Sequence, residues 1–194
     1  MKINYFGIVA VVLALASLAS SWFSITANSV DQSSHMSFTA YLYQIQGSVN
    51  GIPATAFPAI WFVMAALALT IVAAFGCLTG SFLLGRKGQL LLLMAGISAL
   101  LSTVVFGAGL LNSEYANSAV EPGAIMKLFA SHAFGQTTAE VAMQRAYDVT
   151  WSLSNGFWMA IVTAIMAFVG ALALLLIAKK NRCPAKSAGL SKNA

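Results

Sequence analysis

Phe82–Leu93 reads FLLGRKGQLLLL. Two adjacent cations, Arg86 and Lys87, stand between long apolar runs, each flanked by a glycine. They are the only charges between Asp31 and Glu114. Glycine permits the backbone angles of a tight reversal, so GRKGQ reads as a short turn between two apolar helices. Cytoplasmic loops of membrane proteins are enriched in Lys and Arg, so this turn is expected inside.

Working outward from the turn, the sequence contains four uncharged apolar segments: Tyr5–Ser24, Phe57–Leu84, Leu90–Leu111 and Trp151–Ala178. A helix needs about 20 residues to cross the hydrocarbon core, and each segment reaches that length. None alternates apolar with polar residues as a membrane β-barrel strand would. Composition agrees. The chain has 194 residues, 59% hydrophobic and 8% charged, where a soluble domain carries about 25% charged residues. The expected fold is therefore an all-α membrane protein, a four-transmembrane-helix bundle over residues 1–178. Residues 179–194 form a basic cytoplasmic tail.

With the turn inside, four spans put both termini inside as well. The inner side then collects Lys2, Arg86, Lys87, Lys179, Lys180, Arg182, Lys186 and Lys192. The outer loops, about 26–56 and 112–150, collect every acid: Asp31, Glu114, Glu121, Glu140 and Asp148, with Lys127 and Arg145. Arg86, Lys87, Lys179, Lys180 and Arg182 are the expected topology determinants. The net charge of +5 is spent on orientation and does not form a basic face for nucleic acid. Trp22, Trp61, Trp151 and Trp158 fall near the outer ends of spans, where an amphipathic indole suits the interface. Residues 1–20 also read as a signal peptide, with a basic start and a Ser17-Leu18-Ala19 site; retention as the first span is expected.

In loop one, MSFTAYLYQIQG (Met36–Gly47) is rich in β-branched and aromatic residues and reads as a strand. WFSITANSV (Trp22–Val30) is its expected partner in a small extracytoplasmic hairpin or sheet. Pro53 and Pro58 are expected to mark the start of span two. Loop two is expected to be helical. One short helix follows Pro122. Another opens at a capping box, Thr137 with Glu140, and runs into span four, with a kink at Asn155-Gly156.

No span contains an ionisable Asp, Glu, Lys, Arg or His. Ion pathways and proton relays use such residues, so a coupled pump is not expected, nor a haem held by intramembrane histidines. Small residues recur at helical spacing instead: Gly76 and Gly80 as GxxxG, and Ala160, Ala164, Ala167 and Ala171 as a stripe. Such residues let helices approach closely, within the bundle or against another subunit. Outside the spans, His35, Asp31, Glu114, Glu121 and His132 show no metal-ligand spacing. Cys77 and Cys183 form no CxxC and are expected as free thiols. No phosphate loop, dinucleotide fingerprint or GxSxG occurs, and no cofactor is expected.

The layout resembles the claudin-like four-span proteins: inner termini, a strand-bearing first outer loop after Trp22, a tight inner turn and a second outer loop extending a helix. The resemblance is one of layout, and no functional residue is carried over from it. The expected function is non-enzymatic: outer loops and small-residue helix faces mediating protein–protein assembly in the lipid bilayer, with itself or with other membrane subunits. The alternative is an accessory subunit of a larger respiratory or oxidase-type complex. A membrane enzyme using the outer histidines and acids would instead hold stoichiometric copper or zinc.

Overall fold

The protein was analysed as a computed structural model that describes residues 3–31, 33–57, 61–83, 85–112, 135–141 and 145–182. Four helices account for the apolar segments: α1 (Tyr5–Ala19), α2 (Trp61–Phe82), α3 (Arg86–Asn112) and α4 (Asn155–Arg182). α2, α3 and α4 are long and apolar enough to cross a membrane. α1 has 15 residues and reaches only about 22 Å. It stops at Ser20, whose backbone is extended; a strand begins at Phe23, and the Trp22 N–H donates to the Ala40 carbonyl (2.8 Å).

The helices form a ring. α1 packs between α2 and α4, α3 closes the other side, and α2 and α4 barely meet across the centre. At one end, the Asn4 N–H donates to the Ser81 carbonyl (3.1 Å) and the Asn4 side chain donates to the Gly170 carbonyl (2.9 Å). The α2–α3 turn lies at this end, with Gly85 at φ +85°. At the opposite end, Gly156 N–H donates to the Ser21 carbonyl (2.8 Å) and Ser154 N–H to that of Trp22 (2.9 Å).

That second end carries a six-stranded antiparallel sheet in the order β4-β3-β2-β1-β6-β5. Its strands are β1 (Phe23–Ser29), β2 (His35–Ala40), β3 (Ile45–Val49), β4 (Ile52–Phe57), β5 (Gly135–Val141) and β6 (Arg145–Leu153). The pairing of WFSITANSV with the following segment is as expected, with Phe23 opposite Ala40 and Asn28 opposite His35. The single strand expected over Met36–Gly47 is two strands, broken by a turn at Tyr41–Gln44 that the Tyr41 N–H closes onto the Gln44 carbonyl (2.8 Å). Asn50-Gly51 makes the next hairpin, with both residues at positive φ (52° and 78°), the conformation for which Asn-Gly is selected. Pro53 does not open span two. It lies in β4 opposite Ser48, on an edge strand where the missing N–H is tolerated.

Loop two differs most from expectation. Thr137 and Glu140 do not cap a helix; both lie in β5, and the helix expected from there into span four is absent. Residues 145–153 form β6, paired to β1 with Ile25 opposite Trp151. The physical reason is alternation. Tyr147, Val149 and Trp151 are buried while Asp148, Thr150 and Ser152 are exposed. A helix would turn residues two apart to nearly opposite faces; a strand gives all three aromatic and β-branched side chains to one. Span four therefore starts at Asn155 and not at Trp151, and Asn155-Gly156 opens α4 without kinking it. The short helix expected after Pro122 and the tail from Cys183 onward lie outside the described residues.

Candidate functional site

The sheet presents two chemically distinct faces. One carries Phe23, Ile25 and Ala27 from β1 with Tyr147, Val149 and Trp151 from β6, all buried. These join Trp22, Leu42, Phe62, Val63, Ala66, Phe106 and Ala160 in one apolar cluster that runs from the sheet into the bundle. The opposite face is paved with small polar groups. Directly opposed residues of antiparallel strands share a face, so Thr150, Thr26, Ser37 and Ser48 stand in one row across β6, β1, β2 and β3. Thr26 and Thr150 hydroxyls pair at 2.6 Å, and Ser37 and Ser48 at 2.8 Å. A second row holds Ser24 and Ser152, 3.4 Å apart. His35, Asn28 and Asp148 form the third, with His35 Nδ1 bonded to Asn28 Oδ1. Among the described side chains, Asp148 and His35 are the ionisable groups of this face. The first two rows thus offer neutral hydroxyls, and the third adds an amide, an imidazole and the Asp148 carboxylate.

Trp22 joins the sheet to the bundle. Its side chain is fully buried, so it does not sit at the lipid interface as expected. Its Nε1–H donates to the Ser17 carbonyl (3.0 Å). Its ring meets Phe106 edge-on at 5.1 Å and Phe157 at 5.9 Å. A Cβ on Gly156 would stand 2.5 Å from the Trp22 ring, so glycine is needed there. Trp151 is also enclosed, on the apolar face of β6, with Gly135 against its ring. Trp61 (74% exposed) and Trp158 (51%) are the outward-facing pair. Two of four were therefore misplaced by position along the chain, because an indole near a span end serves a protein core as readily as an interface.

The small residues close helix seams within the chain. A Cβ on Gly76 would lie 2.9 Å from Ala95 Cβ, and one on Gly80 would lie 2.9 Å from Leu92 Cγ. Ala160, Ala164, Ala167 and Ala171 are all at most 1% exposed. Thr70 and Ser102 link α2 to α3, their hydroxyls 2.7 Å apart and both reaching the Ala66 carbonyl. Both stripes are thus occupied inside one chain, and what faces outward is large: Val72, Phe75, Ile97, Val104, Ile165 and Leu176. Replacing Ala167 by Leu is expected to destabilise the bundle by about 1–3 kcal/mol through overpacking. The same change at exposed Ala68 should leave stability unchanged. Thermal unfolding in mild detergent compares the two.

Arg86, Lys87 and Lys179 are described at the end of the bundle opposite the sheet, all three exposed, and Lys180 and Arg182 continue α4 beyond them. Asp31 shapes the β1–β2 turn: its Oδ1 accepts from the Ser33 N–H (3.1 Å), the Ser33 hydroxyl (2.7 Å) and the Ser29 hydroxyl. Among the described residues no three His, Cys, Asp or Glu side chains gather. Glu114, Glu121, His132 and Cys183 lie outside those residues, and Cys77 is buried in α2.

Apolar helices of spanning length, capped at one end by a two-faced sheet, define a polytopic helical membrane protein. No protein family model and no curated protein sequence matches the chain.

Proposed function

We propose that this protein is a non-enzymatic, four-span integral membrane protein of the plasma or cytoplasmic membrane, whose outer sheet mediates assembly with another membrane protein or with itself. In this reading α1 is the fourth span, both termini are cytoplasmic and the layout is claudin-like. The observation that carries the reading is the sheet itself. Four strands of loop one and two of loop two form one six-stranded sheet, joined through the pairing of β1 with β6. β4 and β5 are its edges among the described strands, and strand edges and polar faces are recognition surfaces for other chains. The small-residue stripes take no part, because the chain's own helices fill them.

Mass measurement after mild-detergent extraction tests the proposal. The expected result is a complex larger than the 20.3 kDa chain, and a cysteine introduced at Gln136, on edge strand β5, should cross-link to whatever adjoins it. A lone chain under conditions that preserve known membrane complexes overturns the reading. The large apolar side chains on the outer helix surfaces favour a second reading, an accessory subunit packed among other helices. Co-purification with a redox activity selects it, and assembly with itself alone rejects it.

A further inference from the structure

We propose that the β2–β3 turn, Tyr41–Gln44, rests in the headgroup region of the bilayer and holds the sheet down on the membrane surface. The inference rests on the membrane-spanning reading of the helices and not on the assembly proposed above.

The turn lies at the bundle end of the sheet, not at its far tip. Ala40, just before it, accepts from the Trp22 N–H (2.8 Å) and stands opposite Phe23. Trp22 in turn is bonded to the last turn of α1 and to Ser154 at the start of α4. The turn is therefore level with the helix ends. On its other side Ile45 pairs with Phe57, shortly before α2 begins at Trp61.

The side chains divide by role. Leu42 is fully buried in the cluster that holds Trp22 and Phe62, which pins the turn in place. Tyr41 and Tyr43 flank it with rings 5.5 Å apart and tilted by 33°. Tyr43 is 49% exposed. Neither tyrosine belongs to the buried cluster, and the two rings, Tyr43 exposed and Tyr41 partly buried, lie side by side at the level where the helices end. At the same end of the bundle, Trp61 and Trp158 are the exposed tryptophans. Tyrosine and tryptophan favour this depth because the ring is apolar and the hydroxyl or N–H is polar. Tyr41–Gln44 contains no charge, so the ligand chemistry it fits is the uncharged boundary of glycerol esters and upper acyl chains. An anionic headgroup has nothing here to pair with.

The consequence is mechanical. The sheet joins the bundle through β1 to α1, through β6 to α4, and through β4, which runs on to α2. A membrane contact at the β2–β3 turn would add a support between the β1 and β4 connections.

The test is a nitroxide at position 43, Tyr43→Cys, in a full-length chain with Cys77→Ala and Cys183→Ala, reconstituted in phosphatidylcholine vesicles. Collision with oxygen and with a water-soluble nickel complex reports depth. Ile52→Cys, on the far hairpin and 71% exposed, is the aqueous reference; Val72→Cys, 57% exposed in the middle of α2, is the acyl-chain reference. Position 43 is expected to fall between them, with less nickel contact than position 52 and less oxygen contact than position 72. Adding anionic phosphatidylglycerol should leave its depth unchanged. A probe at Gln44 should move toward the aqueous reference when Tyr41 and Tyr43 are both changed to Ser. Nickel contact at position 43 equal to that at position 52 overturns the proposal. So does an immobilised label shielded from both reagents, which would mean a protein surface covers the turn. None of these readings depends on the mass of the complex, so this inference and the assembly proposal fail separately.

Discussion

Replacing Arg86 and Lys87 together by Glu yields a mixed population of topologies, with the α2–α3 turn on the wrong side in some molecules. The pair is the only basic signal between Asp31 and Glu114. Acidic residues contribute little to orientation, so the effect comes from the lost cations. Lys179, Lys180 and Arg182 still act on the end of α4, which is why the inversion is partial. A cysteine reporter in a chain lacking Cys77 and Cys183 reads the outcome. Gly88 is unsuitable, because a Cβ there would collide with the Leu83 carbonyl oxygen. Gln89, half-exposed in the first turn of α3, is suitable as Gln89→Cys. With Arg86 and Lys87 in place, the cysteine at position 89 should resist an impermeant maleimide in intact cells and react once they are opened. In the double-Glu variant, a fraction should react in intact cells. Ready labelling with the native pair present would put the sheet on the cytoplasmic side and remove the basis of the outer-assembly reading.

Trp22→Ala should be the most damaging single substitution in the described chain. It empties the largest fully buried side chain at the one point where α1, β1, α3 and α4 meet, and such truncations cost about 3–5 kcal/mol. It also removes the donor to the Ser17 carbonyl. Trp22→Phe separates the two effects. The ring still meets Phe106 and Phe157, while the lost hydrogen bond costs about 1 kcal/mol. Unfolding in mild detergent, followed by near-ultraviolet circular dichroism of the aromatic cluster that joins sheet to bundle and by helix content, should show the aromatic packing failing before the helices in Trp22→Ala. Equal loss of packing and helix would mean that Trp22 holds the bundle itself, and no loss would remove it from its place as the junction.

The helices were legible because length and the absence of charge are local properties. Any 20-residue run such as Leu90–Leu111 must satisfy its backbone internally once out of water. The β1–β2 pairing was legible for a similar reason: two β-branched segments stand a few residues apart and need only a turn. β6 was not seen as a strand, although Tyr147, Val149, Trp151 and Leu153 alternate with polar residues throughout. The capping-box pattern at Thr137 and Glu140 offered a helix, and a continuous run into span four made that reading attractive. What decided otherwise is β1, which pairs with Tyr147–Leu153 of β6 in register from Phe23–Leu153 to Ser29–Tyr147. A pairing across more than a hundred residues leaves no mark in either segment alone.

By itself, then, the sequence determined that this chain is membrane-embedded, where its long helices run and that a reversal falls at Gly85, although the turn expected over GRKGQ is shorter, since α3 already begins at Arg86. Each follows from transfer free energy and local backbone geometry. Only the tertiary structure decided that loop two completes the sheet, that Trp22 and Trp151 face protein and not lipid, and that the glycine and alanine stripes close the chain's own seams. Those outcomes depend on which surfaces meet. A small residue or an indole is equally suited to several neighbours, and packing alone selects among them.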